Sequence, residues 1–192
     1  ASSAASDVYK RQLQHIVKRD IAWIAAWGTT EEFLQGFREG DRTQYFYDRG
    51  LIYYALSNPD MGSCYEISSF LLSKCTENKE NCILEKKTRD FDGPYHTLFQ
   101  RKNYDVLQTA ELCDRLFEAG ADPNQAGEKN ILPIELMMAL PFTEEELHPL
   151  YDFWMKLPAV DLKLHTFDGK QPIDFAKKYK RKKLATWIKN QL

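Results

Sequence analysis

The chain repeats itself. Asp122 and Asp161 stand 39 residues apart, and so do Asn130 and Gly169, Pro133 and Pro172, Leu112 and Tyr151, and Leu116 and Met155. These matches span a turn, a helix start and a helix interior in one register, so the two copies must adopt the same local structure. A unit of this length cannot bury an apolar face by itself and needs a neighbour of its own kind, which confines the chain to a stack of similar units. An earlier unit fits with different loop lengths. Residues 66–74, EISSFLLSK, correspond to residues 111–119, ELCDRLFEA, and Gly50 and Gly93 take the turn positions of Asn130 and Gly169.

The pattern inside each unit is helical. Apolar residues at 13, 16, 17, 21, 24 and 27 share one face of a helix over Leu13–Trp27, and Gly28 follows as a stop. Thr29 with Glu32, Ser63 with Glu66 and Thr143 with Glu146 each read as a capping box. In that device the hydroxyl accepts an early backbone N–H and the carboxylate reaches back to the cap. The last two precede apolar-periodic runs, Ile67, Phe70 and Leu71, then Leu147, Leu150, Tyr151 and Trp154. No stretch of any length alternates with strand period. The expectation is an all-α fold of four to five stacked helix pairs joined by short hairpins or loops, with Trp23, Trp27, Trp154 and Trp187 in the core.

The connections carry a more specific signal. EAGADPN at 118–124 leads through a turn into LPIEL at 132–136, and VDLKLHTFDGKQPIDFA occupies 160–176. Gly120 suits the left-handed residue that ends a helix, and Pro133 and Pro172 suit the first helical position, where an N–H is not needed. These stretches resemble the ankyrin repeat, and the resemblance covers about residues 20–192. Two departures stand out. The family's T-P-L-H tetrapeptide becomes Leu132-Pro133-Ile134-Glu135 and Gln171-Pro172-Ile173-Asp174, and it is lost at Tyr95-His96-Thr97-Leu98. LPFTEE, 140–145, also lengthens one unit between its helices. The resemblance therefore implies irregular hairpins held mainly by stacked apolar faces, and a protein-binding surface with no reactive centre.

With 192 residues and 43% hydrophobic content, one domain over 13–192 is expected. Residues 1–12, ASSAASDVYKRQ, look like translated adapter sequence and are set aside as a non-native leader. No apolar run is long enough to span a membrane and no signal leader is seen, so a cytoplasmic protein is the expectation. Cys64, Cys75, Cys82 and Cys113 lack zinc spacing and read as free thiols, although Cys75 and Cys82 bracket a polar segment that a disulfide would close. The formal charge of −2 divides into +7 over residues 170–192 and −9 over the remainder.

No catalytic motif is present, and His15, His96, His148 and His165 fall in different units. A hidden site would pair His96 or His165 with Cys113, Asp92 or Asp168; these residues read better as a helix start and turn positions, so no enzyme, cofactor or metal is expected. The basic run KKYKRKK, 177–183, is read as a solubilising connection at the end of the stack, with nucleic acid or an anionic membrane as the alternative partner. The aromatic cluster YFYDRGLIYY, 45–54, is read as part core and part binding patch. In the hairpin register, residues two and four before each turn should point outward: Asp48 and Phe46, Phe91 and Arg89, Glu128 and Ala126, Phe167 and His165. All of these but Ala126, together with Asp168, are the candidate partner-binding residues of a non-enzymatic interaction module, for which an inhibitor or immunity-type binder is the expected role.

Overall fold

Proline and a side chain three residues beyond the cap set where the short helices begin. Pro94, Pro133 and Pro172 each occupy the first turn, and His96, Glu135 and Asp174 turn back to accept the N–H of Gly93 (3.1 Å), Leu132 (3.2 Å) and Gln171 (2.9 Å). One orphan donor is thereby satisfied at each helix start. Gly93-Pro94-Tyr95-His96 thus stands in the register of Leu132-Pro133-Ile134-Glu135 and Gln171-Pro172-Ile173-Asp174, two residues ahead of the expected 95–98.

The computed structural model describes residues 19–86 and 92–192. Among them lie ten α-helices: α1 (Ile21–Trp27), α2 (Thr30–Gly36), α3 (Leu51–Leu56), α4 (Met61–Asn78), α5 (Pro94–Phe99), α6 (Val106–Glu118), α7 (Pro133–Met138), α8 (His148–Lys156), α9 (Pro172–Lys178) and α10 (Lys182–Gln191). Extended pairing among the described residues is limited to isolated bridges, Phe46 with Arg49 and Arg49 with Glu85. The fold is all-α. Odd-numbered helices pack in one row, α1 on α3, α3 on α5, α5 on α7 and α7 on α9. Behind them α2, α4, α6 and α8 form a second row, while α10 packs on α9. The expected helix over Leu13–Trp27 is not continuous: Asp20 is extended and caps α1 at Ile21, its carboxylate accepting the Trp23 N–H at 2.8 Å, while residues 13–18 lie outside the described residues.

Burial follows the repeat with one adjustment. Ile67 and Leu112 are both buried, as are Leu71 and Leu116, so the 66–74 and 111–119 alignment places matching faces in the core. In the next unit the buried set is Leu147, Leu150, Tyr151 and Trp154, which matches Thr109, Leu112, Cys113 and Leu116 at a spacing of 38. The 39-residue register belongs to the hairpins and front helices; the rear helix has slipped by one because α8 starts from a different turn.

That turn contains the predicted Thr143–Glu146 box. Glu146 N–H donates to Thr143 Oγ1 (3.2 Å) and Thr143 N–H to Glu146 Oε2 (2.8 Å). Thr29 and Glu32 cap α2 in the same way. Ser63 and Glu66 do not form a box. Asp60 lies three residues earlier and accepts the Ser63 N–H at 2.7 Å, so α4 begins at Met61 and Ser63 is already helical. A carboxylate at the cap complements the positive end of the helix, which Ser63 does not.

In α1 the buried residues are Ala22, Ala25 and Ala26, while Trp27 is 64% exposed. Trp27 is therefore not core: the close approach of α1 to α3 admits methyl side chains and pushes the indole outward. Trp154 is fully buried, and Trp23 and Trp187 are half-buried.

Candidate partner-binding face

The hairpins form a continuous rail along one edge of the stack. Within a hairpin, Gly127 N–H donates to Ile131 O (3.0 Å) and Thr166 N–H to Lys170 O (2.9 Å). Between hairpins, Lys86 N–H donates to Asp48 O (3.0 Å), Glu128 N–H to Asp92 Oδ1 (2.9 Å), Phe167 N–H to Lys129 O (3.1 Å) and Asn130 Nδ2 to His165 O (2.6 Å). Asn124 adds two more, to Ala159 O (2.8 Å) and from Asp161 N–H (3.0 Å). Each bond joins one unit to the next, so tips distant in sequence stand at fixed spacing. Gly169 at φ 80° and Lys129, Asn130 and Tyr47 near φ 60° supply the left-handed residues that the tight turns require.

The candidate residues divide into three groups on this rail. Asp48, Glu128, His165, Phe167 and Asp168 are exposed at or beside the tips. Phe167 is 76% exposed and only its backbone is anchored. His165 lies back along its own hairpin, with Nδ1 3.1 Å from Gly169 O and Nε2 3.1 Å from Gln171 Nε2. Asp168 accepts from Thr166 Oγ1 and pairs with Lys170 at 2.9 Å; the hydroxyl and then the ammonium hold its carboxyl below the usual range. Phe46 departs from the expectation. It is half-buried against the core, and its carbonyl accepts the Tyr54 hydroxyl at 2.7 Å, because the first hairpin turns over residues 46–49 and sends the next residue outward instead. Ala126 is half-buried as well. Arg89 and Phe91 lie outside the described residues.

The residue sent outward is Tyr47, at 80% exposure and φ 61°. Pattern reading missed it because the hairpin over residues 46–49 is offset by one from the 127–131 and 166–170 hairpins; the signal was present in YFYDRG, where a tyrosine adjoins the Asp-Arg-Gly turn. Tyr45, also exposed, lies under the Lys86 ammonium at 5.9 Å from the ring centre.

Below the rail, the fourth residues of the front helices, Tyr54, Thr97, Leu136 and Phe175, are each half-buried and face the same side in register. A hollow of about 120 Å³ opens there, bounded by Asp92, His96, Gln100, Lys129, Ile131 and Leu136 among others. His96 does not act as a free base in it. Burial holds its imidazole below the usual range, Nδ1 accepts Gly93 N–H, and Nε2 lies 2.8 Å from Ile131 O. Cys113, on α6 itself, is fully buried, and burial raises its thiol well above the usual range. The possible His–Cys pairing therefore finds both groups engaged in packing. Cys75 and Cys82 are both buried free thiols, and each perturbs the other, lowering Cys75 and raising Cys82. Among the described residues no group of three or more His, Cys, Asp or Glu is placed to hold a metal ion, and no helix is long and apolar enough to cross a membrane.

The basic run is divided by the fold. Arg181 is buried, and its three nitrogens donate to Met138 O (2.9 Å), Leu140 O (2.6 Å) and Phe142 O (2.6 Å). It closes the open carbonyl end of α7 and the LPFTEE turn beyond it. Lys177, Lys178, Lys180, Lys182 and Lys183 remain exposed. Asn58 does for α1 what Arg181 does for α7, its amide donating to Ala25 O (2.9 Å) and Gly28 O (3.0 Å).

No protein-family model matches the chain, and comparison with curated proteins gives no match either. Among solved structures, a functionally unknown protein from Leptotrichia buccalis C-1013-b superposes with a TM-score of 0.71 at 24% identity, over 91% of this chain and 92% of that one. The likeness shows a shared fold across nearly the whole of both chains.

Proposed function

We propose that this chain is a non-enzymatic protein-binding module of ankyrin type, whose partner lies along the hairpin rail and the front-helix stripe beneath it. The observation that carries the reading is the pair of exposed aromatics, Tyr47 and Phe167, at opposite ends of a hydrogen-bonded rail. Neither ring is used in packing, and Tyr47 is held in a left-handed conformation that Gly or Asn would adopt at lower cost. Exposed aromatics at fixed spacing are the residue type that dominates binding energy at protein interfaces. The −9 charge outside residues 170–192 favours a partner with a basic surface, of the kind an inhibitor or immunity protein meets.

Affinity capture from the native host supplies the partner, and substitution tests the face. Tyr47→Ser with Phe167→Ser should weaken binding of that partner by about 1–3 kcal/mol with melting unchanged. Undiminished affinity in the double variant would overturn the assignment of the face. The alternative, nucleic acid or an anionic membrane on the basic run, has the five exposed lysines in its favour but not Arg181, which is committed to backbone carbonyls. It predicts salt-sensitive retention on heparin or anionic vesicles that vanishes when those lysines are replaced by Gln.

A further inference from the structure

Glu135 is a buried carboxyl group with one oxygen left without a partner. It is 1% exposed; Oε1 accepts the Leu132 N–H at 3.2 Å, and Oε2 has no partner. A buried carboxylate oxygen left in this state costs several kcal/mol, so the arrangement calls for a different protonation state or a donor.

The repeat identifies what stands opposite it. His96 occupies the same position one unit earlier, where Nδ1 accepts the N–H of its own helix cap and Nε2 reaches Ile131 O in the next hairpin. That carbonyl already accepts Gly127 N–H, so it serves two donors. Advancing the pattern by 39 residues replaces His96 with Glu135, Ile131 with Lys170 and Gly127 with Thr166. Thr166 N–H does donate to Lys170 O, at 2.9 Å, which leaves that carbonyl one lone pair for the group in the position of His96. An imidazole N–H can fill it; a carboxylate cannot, because two acceptors would face each other.

We propose that Glu135 is a neutral carboxylic acid in the folded chain, that its Oε2–H donates to the Lys170 carbonyl, and that docking of α9 and α10 loosens when this proton is lost. The surrounding charges fit. On α5 stands His96, neutral and engaged at both nitrogens, and on α9 Asp174, which accepts from its own cap. Lys177 and Lys178 on the same helix are exposed. The 127–131 hairpin carries Glu128 and Lys129, the 164–170 hairpin carries His165, Asp168 and Lys170, and Arg181 closes the far end of α7. Burial first, and the charge of Asp168 as well, raise the Glu135 carboxyl to about 7, against the lowering effect of the Leu132 N–H. A group whose folded value lies above its unfolded one contributes stability that is complete below about 4.5 and is lost as pH rises through about 7.

The test compares the full chain with Glu135→Gln, whose amide accepts from Leu132 N–H and donates to the same carbonyl at every pH. The advantage of the variant in folded-to-unfolded ratio should grow between pH 5 and pH 8, by no more than about tenfold per pH unit. Protection of α9 and α10 amides, corrected for intrinsic exchange, should fall over the same range in the wild type alone. A second measurement needs no variant: the Glu135 carboxyl carbon, followed by NMR, should titrate near pH 7. Parallel stability curves, or a carbon that titrates near the ordinary value of about 4.3, would overturn the proposal.

Discussion

The middle of the stack and its C-terminal end use different interactions to join one helix pair to the next. In the middle, α5 meets α8 through rings: Tyr95 lies 5.7 Å from Phe153 and 6.0 Å from Trp154, and Phe99 lies 6.4 Å from Trp154. At the end, α9 and α10 are held by directed polar groups. Arg181 clasps three carbonyls at the close of α7, and Glu144, inside the LPFTEE turn, accepts the Lys183 N–H at 2.9 Å near the start of α10. Behind that contact α8 and α10 leave a cleft of about 320 Å³ lined by Met155, Leu157, Val160 and Trp187 among others. Ring packing tolerates small shifts because burial is non-directional, whereas a guanidinium on three carbonyls fails if the turn moves by an ångström. The end of the stack is therefore the part with fewer ways to be partly right.

Removing the C-terminal end should have the largest effect. Truncation after Leu157 strips α7 of α9 and leaves the Met138, Leu140 and Phe142 carbonyls without their donor; melting should fall by more than about 10 °C, with aggregation, since terminal units keep such stacks soluble. A soluble fragment that melts cooperatively near the full-length temperature would show that the end contributes little. Next in size is the middle: Trp154→Ala should cost about 3–5 kcal/mol in denaturant unfolding, the effect of emptying a fully buried aromatic site. Arg181→Gln follows, at about 2–3 kcal/mol, because it leaves buried carbonyls unpaired without opening a large cavity. If Arg181→Gln proved costlier than Trp154→Ala, the polar clasp and not the ring cluster would dominate the fold.

The two junctions should also part company with pH. His96 is held below its ordinary value, so its contribution is present above about 6.5 and is lost as pH falls through the folded value. Acid therefore weakens the middle junction, and His96→Gln should remove that component when unfolding is compared at pH 5 and pH 7. The smallest effect is reserved for the rail: Phe167→Ser should change stability by less than about 0.5 kcal/mol, whatever it does to binding. A larger loss would place the ring in the fold instead of on the binding face.

How much of this was legible in the sequence depends on whether an interaction is local. The Thr29–Glu32 and Thr143–Glu146 boxes could be read because both partners lie within one turn. Ser63 and Glu66 have the same spelling, yet Asp60, three residues upstream, takes the cap. Phe167 could be placed on an exposed tip from the repeat alone, whereas Tyr47 and Phe46 exchange places because the first hairpin is offset by one residue. Trp27 fits the apolar stripe of α1, but the distance to α3 selects alanine.

The sequence by itself determined the all-α fold, the repeat and the starts of α7 and α9 at Pro133 and Pro172, since periodicity, proline and near-neighbour hydrogen bonds act within a dozen residues. Tertiary structure alone decided that Arg181 is a buried clasp within a basic run, that Asn58 closes a helix some 30 residues upstream, and that Glu135 stands where His96 stands one unit earlier. The reason is physical. Whether a charged or polar side chain is solvated or buried depends on which backbone groups another unit leaves unpaired beside it, and that is settled only when the units stack.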